Sequence, residues 1–104
     1  MQVFEENLSK ITFEVFDNIF GAELSSTLLK NIKESSVNGI IEFFTETLPI
    51  ILDPEGSLII EDLVLETLYM KSGIELERKK SDTFRDYVIA LEYKLEKWKP
   101  RSLI

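Results

Sequence analysis

Apolar residues recur along this chain with the period of an α-helix, and its glycines and prolines fall where helices would be punctuated. The pattern predicts an all-α protein, a single compact domain of about five helices. From about Phe4 to Phe20, the residues Phe4, Leu8, Ile11, Val15 and Ile19 form one stripe with Phe13, Phe16 and Phe20 beside it. That face is wide enough to pack against more than one neighbour. Gly21 is placed to close the helix in a left-handed conformation, and Ala22 to Ser35 then gives a shorter helix with Leu24, Leu28, Leu29 and Ile32 inward. The cap-rich break Ser35-Ser36-Val37-Asn38-Gly39 leads into a third helix carrying Ile40, Ile41, Phe43, Phe44 and Leu48. Pro49 lacks the donor for the carbonyl four residues back, so a kink is predicted there with continuation to Leu52.

Asp53-Pro54 reads as an N-cap followed by proline at the first helical position, although Gly56 allows a start as late as Ser57. From Leu58 to Met70, nine of thirteen residues are apolar. They form three ridges: Leu58, Leu65 and Tyr69; Ile59, Leu63 and Met70; Ile60, Val64 and Leu68. A helix apolar on several sides predicts a central helix near 57–72, with Ile60, Leu63, Val64 and Leu68 almost wholly buried. Lys71-Ser72-Gly73-Ile74 then combines a cation in the last turn, a glycine and a following aliphatic residue, the signature of a Schellman-type stop. After a charged connector from Glu75 to Lys80, Ser81 or Asp82 caps a final helix over 81–99. Phe84, Val88, Leu91, Leu95 and Trp98 share one of its faces.

Charge divides the chain at that connector. Residues 1–76 hold 14 Asp and Glu against 4 Lys, a balance of −10, whereas residues 77–104 hold 5 acids against 8 Lys and Arg, a balance of +3. A basic amphipathic helix on an acidic body predicts a docking or dimerising element. Its partner-binding residues would be Phe84, Val88, Leu91, Leu95 and Trp98, facing a second copy or an acidic protein. The competing arrangement packs the same stripe into the chain's own core, and the spacing alone allows both.

The stretch Phe44 to Leu76 resembles the end of a small archaeal domain family of uncharacterised function, named as the fifth Nitrosopumilus output domain. The resemblance rests on a Phe-led helix at Phe44, a break at Glu55-Gly56, an Ile/Leu-rich helix from Leu58 to Leu65, then Leu68-Tyr69 and Gly73-Ile74. Upstream, FDNIFGAELSSTLLKNI has the family's helix, glycine and second helix with paired leucines, so the likeness spans about residues 13–76. The family's midway Tyr-Gly-Ile connector is absent, and the final helix lies outside the match. What the resemblance implies is a module at the output end of signal transduction.

The composition narrows the chemistry. With no histidine and no cysteine, metal or acid–base work would fall to carboxylates alone. Glu42 with Glu46 and Asp62 with Glu66 are i, i+4 pairs, yet di-metal helical bundles add Glu-x-x-His, and solvated surface carboxylates are the expectation. Glu66 stands between two apolar ridges, which places it at a wet edge or beside a lysine or arginine. Asp53-Pro54-Glu55-Gly56 lacks the ligand spacing of a calcium loop and reads as a helix cap. Phe13, Phe16, Phe20, Phe43 and Phe44 predict core, with an apolar-ligand pocket among them as the alternative. The basic residues Arg78, Lys79, Lys80, Arg85, Lys94, Lys97, Lys99 and Arg101 do not predict nucleic-acid binding, because the acidic body opposes a polyanion. No segment approaches the roughly 18 apolar residues of a membrane helix, and no basic start precedes an apolar run. The expectation is a cytoplasmic, non-catalytic interaction or signalling-output module with no cofactor, self-associating or bound to an acidic protein.

Overall fold

Short-range chemistry sets the helix boundaries. The computed structural model describes residues 3–32 and 36–98, and among these it contains five helices and no strand. Helix α1, Val3–Phe20, is separated from α2, Ala22–Leu29, by Gly21 alone, which sits at φ 85° and donates its N–H to the Asp17 carbonyl. With ψ at 163° this is an extended positive-φ conformation that glycine adopts readily, not the left-handed helix cap expected, and it lets α2 begin at the next residue. Helix α2 is shorter than the predicted span to Ser35, and residues 33–35 lie outside the described residues.

Helix α3 runs over 37–51. The Ser36 side chain caps it by accepting from Gly39 N–H, so the break ends earlier than its glycine suggested. The predicted distortion at Pro49 takes the form of a π-helical turn, Phe43–Thr47, in which the Leu48 N–H reaches back five residues to the Phe43 carbonyl. Widening the turn just ahead of the proline relieves the clash between its ring and the preceding carbonyl, and the helix continues through Leu48–Ile51.

Helix α4, Pro54–Ser72, starts at its proline, because Asp53 Oδ1 accepts from Gly56 N–H at 2.6 Å. It ends in the predicted Schellman arrangement: Gly73 at φ 73° donates to the Met70 carbonyl, and Ile74 to the Tyr69 carbonyl. Helix α5, Phe84–Trp98, is capped one or two residues later than predicted, by Thr83. The Thr83 hydroxyl accepts from Asp86 N–H, while the Asp86 carboxylate accepts from Thr83 N–H at 2.8 Å.

The core gathers where α1, α3, α4 and α5 meet. Phe16, Phe43, Phe44, Ile41, Leu8, Leu48, Val64, Val88 and Leu91 are buried there. The Phe16 ring lies 5.9 and 6.0 Å from Phe43 and Phe44, and Phe44 lies 4.6 Å from Phe84, so the π-helical turn connects the first helix to the last. Burial of each such ring is worth about 1.5–3 kcal/mol. Phe13, Ile19 and Leu24 are exposed, against expectation.

Helix α4 also departs from the three-sided expectation. Ser57, Ile60, Val64, Leu65, Leu68 and Tyr69 are buried on one side, whereas Ile59, Leu63 and Met70 are exposed. Leu63 was predicted to be almost wholly buried and is 39% exposed. Its neighbours α1, the end of α3 and α5 all pack on the one side formed by the buried residues, which leaves the ridge through Leu63 uncovered.

Candidate functional site

Three of the five residues assigned from sequence to a partner lie inside the molecule. Phe84, Val88 and Leu91 are 3%, 0% and 0% exposed, and Leu95 is half-buried against the same cluster. The expectation that Phe84, Val88 and Leu91 face a second copy or an acidic protein is therefore corrected. The phenylalanines of the π-helical turn reach across to Phe84, and the chain covers the stripe itself. The side chain of Trp98 lies outside the described residues.

An uncovered apolar stripe is found instead on α4. At about 100° per residue, Ile59, Leu63 and Met70 fall within an arc of about 40°. They are 63%, 39% and 70% exposed. Glu55, Asp62 and Glu66 occupy the adjacent arc and are also exposed, so a rail of carboxylates runs beside the stripe. At the end of α4 that meets α3, Ile50, Ile51 and Leu58 add further exposed apolar surface. A single exposed leucine means little, but an aligned apolar row on a small domain marks a contact surface.

The connector between α4 and α5 is tied to this face. Arg78 donates to Asp62 at 2.8 Å and to Glu66 at 3.4 Å. Glu66 lies at a wet edge and also meets a basic residue, so both alternatives for it hold, with the cation coming from the connector and not from the final helix. The hydrogen bond to Asp62 raises the Arg78 pKa further above its ordinary value, against a smaller opposing effect of burial. The same guanidinium stands 5.8 Å from the Tyr87 ring centre. The Tyr87 hydroxyl accepts from Lys79 N–H at 2.8 Å and donates to the Lys79 carbonyl at 3.0 Å. Beneath it, the buried Tyr69 hydroxyl donates to the Tyr87 carbonyl at 2.6 Å. Burial chiefly, with Tyr87 and Asp82 adding to it, pushes the Tyr69 pKa upward. These bonds fix the connector and join α4 to α5.

Glu61 behaves differently from the carboxylates of the outer rail. It projects from the inner side of α4, where its neighbours three, four and seven positions away, Ser57, Val64, Leu65 and Leu68, are all buried. Burial, and secondarily the charge of Asp62, raises its pKa from 4.5 to about 7.

A groove of about 540 Å³ opens between α1, α4 and α5, with Phe4, Ile11, Leu68 and Leu95 as its apolar surface. Lys10 of α1, Lys71 of α4 and Glu92 and Glu96 of α5 also line it; Lys71 pairs with Glu14 at 3.3 Å. The phenylalanines considered as ligand contacts are not gathered here. Phe16, Phe43 and Phe44 pack on one another in the core, and the space beside Phe13 is about 220 Å³. That is below the roughly 300 Å³ of a typical ligand site.

Among the described residues, no group of three or more Asp or Glu is arranged to hold a metal ion, and no helix is long and apolar enough to cross a membrane. Asp62 and Glu66 are brought together as their spacing implied, but around an arginine. The outer stripe of α4 was missed as a site although its ridge was visible in the sequence. The available signal was the acidic rail at 55, 62 and 66, which keeps the adjoining ridge in water. No protein-family model, curated protein or solved structure matches the chain. The likeness to the output-domain family therefore rests on the residues quoted for it.

Proposed function

We propose that this chain is a non-catalytic protein–protein interaction module, a signalling-output element of the cytoplasm, and that its contact surface is the outer face of α4. One observation carries this reading: Ile59, Leu63 and Met70 stay aligned and exposed on a helix whose opposite side is closed over by the core. Leaving three large apolar side chains in water gives up burial worth up to about 1.5–3 kcal/mol each, a loss that a partner would recover. The test is site-specific photocrosslinking in the native cell. A crosslinker at position 70 should form protein adducts that disappear when Ile59→Ser and Leu63→Ser are added, while the same crosslinker at the exposed position 30 should form none. No adduct at position 70, or equal adducts at both positions, would overturn the reading.

A second reading is supported by the groove between α1, α4 and α5, whose volume lies in the range of small-molecule sites. It places an apolar ligand against Phe4, Ile11, Leu68 and Leu95 rather than among Phe13, Phe16, Phe20, Phe43 and Phe44. Native mass spectrometry of the purified chain checks it, because a retained ligand would appear as a defined added mass that Leu68→Trp removes.

A further inference from the structure

Resting on the interaction-module reading, we infer that the outer face of α4 receives a cationic amphipathic helix. The stripe and the rail are parallel features of one helix, and each constrains a different property of the occupant. Ile59, Leu63 and Met70 are spaced +4 and +7, so they present one narrow row to a row of apolar side chains on a partner helix. From Glu55 to Met70 the face is about 22 Å long, roughly four helical turns. A flat apolar surface would not need such a row, and an extended strand has no open sheet edge to join among the described residues.

Charge selects the sign of that helix. Glu55, Asp62 and Glu66 line one flank, and among the described residues Arg78 is the cation that ion-pairs with the latter two. Three carboxylates against one guanidinium leave the flank negative, and the whole chain carries −7. The acidic body of a second copy, or an acidic protein, approaching this face would meet like charge at the rail, and a second copy also brings like net charge at long range. An anionic lipid surface would be repelled in the same way. Lysines or arginines beside an apolar stripe are drawn in, and their long stems can lie over Leu63 and Met70 while their charged ends reach Glu55 and Glu66.

The experiment uses the full chain and two labelled 18-residue model helices with the same leucine row, one flanked by lysine and the other by glutamate. Fluorescence anisotropy should show binding of the Leu/Lys helix and at least tenfold weaker binding of the Leu/Glu helix. The rail variant Glu55→Gln/Asp62→Asn/Glu66→Gln should weaken the Leu/Lys helix about tenfold or more. A control removing three exposed carboxylates elsewhere, Glu6→Gln/Glu23→Gln/Glu42→Gln, should change it less than twofold. Met70→Ser alone, at a site too exposed to endanger folding, should weaken it about threefold or more. Equal losses from the rail and control variants would mean attraction to the acidic body in general and would overturn the inference. So would equal binding of both peptides, or light scattering that shows a dimer dispersed by Met70→Ser, since the occupant would then be a second copy. If neither peptide binds, the inference fails, while adducts at position 70 in the crosslinking experiment would still uphold the module itself.

Discussion

Two apolar rows in this molecule, each aligned on one helix face, have opposite fates. Phe84, Val88 and Leu91 on α5 are buried, and Ile59, Leu63 and Met70 on α4 are exposed. The sequence around them favours the reverse assignment, because α5 is the charged helix and α4 the apolar one. What separates them is the presence of a neighbour. The π-helical turn swings Phe44 to within 4.6 Å of Phe84, while the helices that pack on α4 all do so from its other side. Helical spacing identifies a row that can be buried, and only the tertiary arrangement decides whether the chain or a partner buries it.

The largest expected effect breaks the comparison directly. Leu91→Ala removes a side chain with no exposure from the core and should cost about 2–5 kcal/mol, whereas Leu63→Ala should cost about 1 kcal/mol or less. Urea unfolding followed by circular dichroism measures both. Equal losses would mean that the two rows are equivalent and that α4 is covered on both sides.

Next in size is a contrast within α4 itself, between the inward Glu61 and the outward Asp62 and Glu66. A carboxyl whose pKa rises from 4.5 to about 7 on folding holds its proton more firmly in the folded state. Its stabilising contribution is complete below pH 4.5 and is lost as the pH climbs through 7. Glu61→Gln should therefore stabilise the protein at pH 8, by about 1–2 kcal/mol once solvent screening is allowed for, and change little at pH 4. A variant with the same gain at both pH values would show that charge is not the cause.

Smaller again is the buried bond that holds the two helices together. Tyr69→Phe deletes the donor to the Tyr87 carbonyl and should cost about 0.5–1.5 kcal/mol. It should also speed amide exchange in the connector, if the connector's order depends on how α5 sits against α4. Unchanged exchange at Lys79 would locate that order in the Tyr87 hydroxyl alone.

The boundaries that depend on a few adjacent residues were legible in the sequence. Asp53 before Pro54 and the Lys71-Ser72-Gly73-Ile74 stop both form the bonds that their residue types imply. The core phenylalanines Phe16, Phe43 and Phe44 were legible too, because aromatic residues at helical spacing rarely remain in water. Leu63 and Leu91 were misassigned for a common reason: each lies on a proper apolar ridge, and a ridge records nothing about what faces it. The π-helical turn was legible only as a distortion near Pro49, since the five-residue hydrogen bond depends on how the phenylalanines settle in the core. The Arg78 clasp needed the connector's path, which no periodicity describes.

The smallest expected effect on stability concerns that clasp. Arg78, Asp62 and Glu66 are 43%, 55% and 63% exposed, so their ion pairs work in a high dielectric and are screened by salt. Arg78→Gln should cost under about 1 kcal/mol, and the cost should shrink further in 0.5 M NaCl. The same change removes the cation that, among the described residues, pairs with Asp62 and Glu66 on the outer face. Affinity for the Leu/Lys helix should rise severalfold while the fold is nearly unaffected. If Arg78→Gln instead destabilises the protein as much as Leu91→Ala, the outer face of α4 is a structural surface sealed by the connector. The contrast between a row spent on folding and a row kept for binding would then fail at its second term.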